Sequence, residues 1–274
     1  MARTKGVFVT GTGTGVGKTV VAASIVAGLT ARGHRVAAYK PVVTGLDEPD
    51  ATWPLGDCDT ALGDVVDPDM VDRENTVRVT VQNATLSSKT EDELLAGATG
   101  WQAPRQVAPY TFGPAVSPHL AAEMANRAID PERLIEEFVQ LSAQSELTVC
   151  EGVGGLLVPL SLDPPFSVLD LAKRIALPVV VAARPGLGTI NDTRLAVERL
   201  RSEQLEVAAV VLSGWPSDAT SGEPSAVELS NRETIAHLLD VEVAVLKWTT
   251  PDDLANAAES LSLASWIGDD GRGL

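Results

Sequence analysis

Six short runs of apolar and β-branched residues punctuate the chain, at 6–10, 35–39, 147–150, 178–183, 207–212 and 243–246. Their length suits strands, and their near-continuous Val, Ala and Leu content suits strands buried on both faces. Between them apolar residues recur at helical spacing. That pattern predicts helices at about 18–32, 117–128, 131–145, 167–175, 189–203, 226–239 and 251–265. Ser117 before Pro118 and Asp130 before Pro131 mark two helix starts, each a capping side chain followed by proline at the first helical position. Alternation of this kind implies right-handed βαβ units. The expected fold is α/β, a mostly parallel sheet with helices on both faces.

Two stretches break the rhythm. Residues 46–105 are rich in Asp, Pro, Gly and Thr with little periodicity, too long for an idle loop in a compact domain. Residues 214–225 carry Pro, Ser, Gly and Asp and read as a loop. The expectation is a single domain over 1–267, with an insertion at 65–105 and a frayed tail at 268–274.

Composition sharpens this in two ways. Apolar residues are 45% of the 274 but aromatics only 4%, which favours a parallel sheet sandwiched by helices over a β-sandwich. The net charge of −16 repels nucleic acid and anionic membrane, so an anionic ligand needs a local capture device. Two cysteines, Cys58 and Cys150, form no disulfide framework or metal motif. No run approaches the roughly 18 apolar residues of a membrane span. The apolar stretch after Lys5 is too short for a signal peptide, so a cytoplasmic location is expected.

The capture device is Gly11-Thr12-Gly13-Thr14-Gly15-Val16-Gly17-Lys18-Thr19, which follows the first predicted strand and opens the first predicted helix. Glycines let backbone N–H groups converge on phosphate oxygens, and the helix N-terminus adds positive partial charge. Lys18 would bridge the terminal phosphates, and the Thr19 hydroxyl would ligate Mg²⁺. A P-loop NTPase-like fold binding a nucleoside triphosphate follows. Ligands of open parallel sheets bind at the carboxyl ends of the strands. That brings in Lys40, which closes the second strand and is followed by Pro41-Val42-Val43-Thr44-Gly45, as a second cation for developing charge. It also brings in Glu151, at the end of an apolar strand before Gly152-Val153-Gly154-Gly155, as a magnesium-side carboxylate. Asp59 is a further candidate acid, with Asp57 and Asp64 as competitors.

Together these residues resemble the dethiobiotin synthetase family. The matching pieces are Val9 to Thr19, Tyr39-Lys40-Pro41-Val42-x-Thr44-Gly45, and Pro109-Tyr110-Thr111-Phe112 with Ser117-Pro118-His119. Glu151-Gly152-x-Gly154-Gly155-Leu156 and Gly188-Thr189-Ile190-Asn191 complete the set, which spans about residues 5–215. The resemblance implies that ATP and CO2 convert the vicinal diamine 7,8-diaminopelargonate to dethiobiotin. One amine becomes a carbamate, the γ-phosphoryl activates it, and the other amine closes the ureido ring. It also implies roles. Gly13 to Thr19 hold nucleotide, with Thr14 and Lys18 reaching carbamate and phosphates. Lys40 stabilises the carbamate and its phosphorylated form, and Thr44 holds the diamine end. Glu151, Gly154 and Gly155 line the substrate, and Thr19, Asp59 and Glu151 surround Mg²⁺. Gly188 and Asn191 take the tail carboxylate, reaching across a homodimer with shared active sites.

The chain departs from the family pattern in three places. Gly15 replaces an acid, 65–105 is longer than its counterpart, and Ser213-Gly214-Trp215 replaces an adenine-reading Asn-Asp pair. Ser213 is therefore expected beside the nucleotide without an amide to read the base. Two other readings compete. An amide-forming synthetase would carry a glutamine-splitting domain with a nucleophilic cysteine, which neither Cys58 nor Cys150 suits. A partition-type ATPase would carry a lysine at Gly13 and a basic amphipathic helix near the C-terminus.

Overall fold

The computed structural model describes residues 4–47, 89–216 and 222–267. Six strands form one parallel sheet: β1 (Gly6–Gly11), β2 (Val36–Tyr39), β5 (Leu147–Glu151), β8 (Val179–Ala183), β9 (Val207–Trp215) and β10 (Val243–Lys247). Their order across the sheet is β10-β9-β8-β1-β5-β2, and every pairing is parallel. These six match the six apolar runs. Strands buried on both faces must be apolar throughout, so the sequence signal was continuous rather than alternating.

Helices cover both faces, as expected. On one, α1 (Lys18–Ala31) is buried along nearly its whole length, because α2 (Glu91–Thr99) and α9 (Leu254–Ala257) flank it against the sheet. α10 (Leu263–Trp266) completes that layer, with Trp266 in the same core cluster. On the other face lie α4 (Pro118–Met124), α5 (Pro131–Ser142), α6 (Val168–Ile175), α7 (Thr189–Ser202) and α8 (Ala226–Leu239). The Asp130 side chain caps α5 by accepting from the N–H groups of Glu132 and Arg133, in keeping with the Asp-Pro signal.

The segment read as irregular differs from expectation over residues 89–105. α2 buries Leu94, Leu95 and Ala96 against α1, and α3 (Pro104–Val107) follows. These residues belong to the core of the domain. They also close the open edge of β2. Gln102 accepts from the Ala38 N–H at 2.7 Å and donates to the Ala38 carbonyl at 3.0 Å, and the Trp101 indole donates to Val36 O at 2.7 Å. Side chains thus pair an edge that would otherwise invite another strand. Two small ladders were also unread. β3 (Val42–Val43) pairs with β4 (Tyr110–Thr111), and β6 (Pro159–Leu162) with β7 (Pro165–Ser167). Strands this short give no periodic signal.

Candidate active site

β1 ends at the phosphate loop, and Gly17 caps α1 with φ 83°. A side chain at position 17 would need that left-handed backbone and would also overlap Ser213 Oγ. Glycine is required twice over. Ser213 thus lies against the loop backbone at Gly17, rather than standing free at the base side. The loop after β5 packs over the other flank: Gly155 approaches Gly11, Thr12 and Gly13, and Gly154 lies beside the Thr14 hydroxyl. Gly13, Thr14, Gly15, Val16, Gly17, Gly154 and Gly155 therefore form one continuous surface with Lys18, whose ammonium donates to Gly13 O at 2.6 Å.

A buried charged cluster stands beside it. Lys40 Nζ contacts Glu151 Oε1 at 2.5 Å and Glu91 Oε2 at 2.8 Å. The Thr19 hydroxyl lies 2.8 Å from Glu91 Oε1 and 2.8 Å from Glu151 Oε1. Lys40 Nζ also reaches Thr19 Oγ1 at 3.4 Å. Lys40 is placed there by its backbone N–H, which donates to Val107 O at 2.9 Å. Glu91 opens α2, where the Glu93 carboxylate accepts from the Thr90 N–H at 2.9 Å and three acids occupy the first turn. That turn complements the positive end of the helix.

Electrostatics follow from this crowding. Burial, and then the nearby Lys40 charge, push the Lys18 ammonium down to about 8. Burial also works against the charge on Lys40, but Glu151 and Glu91 outweigh it and hold Lys40 above the ordinary lysine value. The two acids move oppositely. Glu151 is raised by burial, with the Glu91 charge adding to it, whereas Lys40 and Thr19 hold Glu91 low against its own desolvation.

These residues fit a hard divalent cation. One hydroxyl has one proton, so Thr19 can satisfy only one of the two carboxylate oxygens beside it. Glu151 Oε2 is buried without a partner. Two carboxylates therefore share a single ammonium and retain free oxygen lone pairs, the donor type Mg²⁺ prefers. Among the described residues no cluster of three or more His, Cys, Asp or Glu forms an all-protein cage.

Asp59, with its competitors Asp57 and Asp64, lies outside the described residues. Glu91, which contacts both Lys40 and Thr19, is an acid of the cluster that the sequence reading did not single out. Its signal was the Thr90-x-x-Glu93 capping pattern, hidden in a segment without periodicity. Thr44 follows β3, half-buried, beside a turn fixed by Gly45 N–H donating to Pro114 O at 3.1 Å. Gly188 and Asn191 stand apart from the cluster, at the start of α7. They line an open groove of about 540 Å³ with Leu187, Ile190, Arg194 and Asn231.

A family model described as "AAA domain" matches residues 5–247. The ATP-dependent dethiobiotin synthetase BioD of Anaeromyxobacter dehalogenans (strain 2CP-1) is 35% identical over 258 residues, 94% of this chain and 95% of that protein. The chain belongs to the dethiobiotin synthetase family. A second member, BioD of Mycobacterium sp. (strain JLS), is 34% identical over 238 residues, 86% of this chain and 85% of its own. Among solved structures, the MinC:MinD cell division protein complex of Aquifex aeolicus aligns over 96% of this chain and 94% of that one. The identity there is 14% and the TM-score 0.49. In this chain the glycine-rich loop runs from Gly11 to Thr19, and Lys40 directly follows β2.

Proposed function

We propose that this chain is an ATP- and magnesium-dependent dethiobiotin synthetase, a ligase that closes the ureido ring of dethiobiotin from 7,8-diaminopelargonate and CO2. Family membership supports the reaction. The observation that carries the residue roles is the convergence of Lys18, Lys40, Thr19, Glu91 and Glu151 at the carboxyl ends of β1, β2 and β5. The phosphate-loop backbone binds the triphosphate, and Lys18 contacts its terminal phosphates. Lys40 reaches the carbamate oxygens and offsets the charge that grows as they attack the γ-phosphoryl group. The second amine then displaces phosphate and closes the ring, with both nitrogens held between Thr14, Thr44 and the Gly154–Gly155 turn. Thr19, Glu91 and Glu151 would hold Mg²⁺, which when bound neutralises phosphate charge and orients the γ-phosphoryl group.

The tail carboxylate is assigned to Gly188 and Asn191 of a neighbouring copy. Leu187 is 99% exposed and Leu195 61% exposed on the same groove. Apolar side chains so placed favour an isologous interface with shared sites. The direct test incubates the protein with Mg-ATP, bicarbonate and 7,8-diaminopelargonate and follows dethiobiotin by mass spectrometry. Phosphate release without dethiobiotin would count against the reaction.

A further inference from the structure

Arg184 is absorbed by none of these roles, yet it touches the phosphate loop. It directly follows β8, whose Ala182 is in register with Gly11, and Thr12 N–H donates to Ala182 O at 3.1 Å. The end of β8 is thereby fastened to the start of the loop. The chain also changes direction across the sheet here, since β1 leads towards β2 and β8 towards β9. Ligands of open α/β sheets bind at such a point.

Arg184 Nε donates to Gly15 O at 3.3 Å. Gly15 has φ 69°, and a Cβ there would lie 3.1 Å from Arg184 Nη2. A larger residue would press on the guanidinium as well as strain the backbone. The rest of the Arg184 loop is held from behind by buried Asn231, whose side-chain amide donates to Pro185 O and Gly186 O, both at 3.0 Å.

A trans peptide is planar, so its C=O and N–H point to opposite sides. Anchoring the Gly15 oxygen on the Arg184 side turns the N–H of Val16 to the other side of the loop. Gly15 and Gly17 both have positive φ and no Cβ, which leaves the peptides between them easy to rotate without such an anchor. We propose that Arg184 is a positioning residue for the phosphate loop, holding the Gly15–Val16 peptide with its N–H facing the bound polyphosphate. This rests on the phosphate-loop reading and not on the diamine reaction.

The test uses the full chain with Mg-ADP as probe, comparing wild type, Arg184→Ala, Arg184→Lys and Asn231→Ala by calorimetry and by melting without nucleotide. Arg184→Ala should weaken Mg-ADP about tenfold, the scale of one hydrogen bond from a charged donor. Its nucleotide-free melting point should stay within a few degrees of wild type, because the side chain is exposed. Arg184→Lys should recover most of the affinity, and Asn231→Ala should show a smaller loss in the same direction. In turnover, the loss should fall on the KM for ATP more than on kcat. The Val16 amide resonance of Arg184→Ala should move or broaden without nucleotide and return when Mg-ADP binds. Unchanged Mg-ADP affinity would overturn the proposal. So would an affinity loss that merely tracks lower melting, or a kcat loss at constant affinity. Failure of the wild type to bind Mg-ADP would remove the phosphate-loop reading and the proposal together. Binding without dethiobiotin formation would remove only the diamine reaction.

Discussion

On the β1–β5–β2 side of the crevice, Lys40, Glu91 and Glu151 crowd around the Thr19 hydroxyl, with Lys40 and Glu151 almost wholly buried. On the β8–β9–β10 side, exposed Arg184, Leu187 and Gly188 follow β8, Ser213-Gly214-Trp215 ends β9, and there is no buried ion pair among the described residues. The contrast shows two ways of preparing a site. Charges that must act on a transferring group need a dry, preorganised setting, and they survive burial only by pairing with one another. A surface that receives a ligand's tail or a second subunit can stay open, because its partner supplies the missing contacts.

The most severe test of the closed side removes its cation. Lys40→Ala should lower ring formation by about 10²–10³ in rate, the typical loss for one preorganised donor. It should also destabilise the protein by about 3–5 kcal/mol without metal, since two carboxylates then face each other beneath the sheet ends. Product formation and chemical denaturation, each with and without Mg²⁺, separate the two effects. Near wild-type turnover would show that the closed side is scaffold only.

The next test asks which acid serves the metal. Glu91→Gln should raise the Mg²⁺ concentration needed for half-maximal turnover by about 10- to 100-fold. Asp59→Asn, at the acid that the family resemblance sets beside Mg²⁺, should raise that requirement as well. A shift with Asp59→Asn but none with Glu91→Gln would make Glu91 a partner of Lys40 alone.

Proton linkage gives a smaller effect. With the Lys18 ammonium at about 8, its charge is present at neutral pH and is lost as pH rises through that value. Phosphate binding favours the charged form, so Mg-ADP affinity should fall by about tenfold between pH 7 and 9 and binding should take up protons near pH 8. Calorimetry in buffers of different ionisation enthalpy measures this uptake. Stability without ligand has the opposite sign. Unfolded Lys18 keeps its proton up to its ordinary value of 10.5. Between about 8 and that value the unfolded state binds more protons, and this group's contribution to stability rises with pH.

The open side is tested by complementation. Lys18→Ala and Asn191→Ala, each first shown to be inactive, are mixed under conditions that allow subunits to exchange. About half the dimers are then mixed, each with one intact site, so activity should recover to about a quarter of wild type. Proven exchange without recovery would place Asn191 in its own subunit's site.

Much of this is legible in the sequence. The six apolar runs became the six sheet strands, because strands buried on both faces leave an unbroken hydrophobic record. The phosphate loop was legible because it depends on local glycines and on its place between a strand and a helix. Lys40 and Glu151 could be placed at strand ends by the same logic. Glu91 could not. Its helix has only nine residues, and its buried side is set by packing against α1 rather than by a repeating pattern of its own. Arg184 carried no motif either, and Ser213 could not be seen to lie beneath Gly17. The sequence by itself determined the strands, the phosphate loop and the family, because those are written in neighbouring residues. Only the tertiary structure decided which acids surround Thr19 and which guanidinium meets Gly15. Both contacts join residues 72 or more positions apart, and the order of strands in the sheet, not spacing along the chain, brings them together.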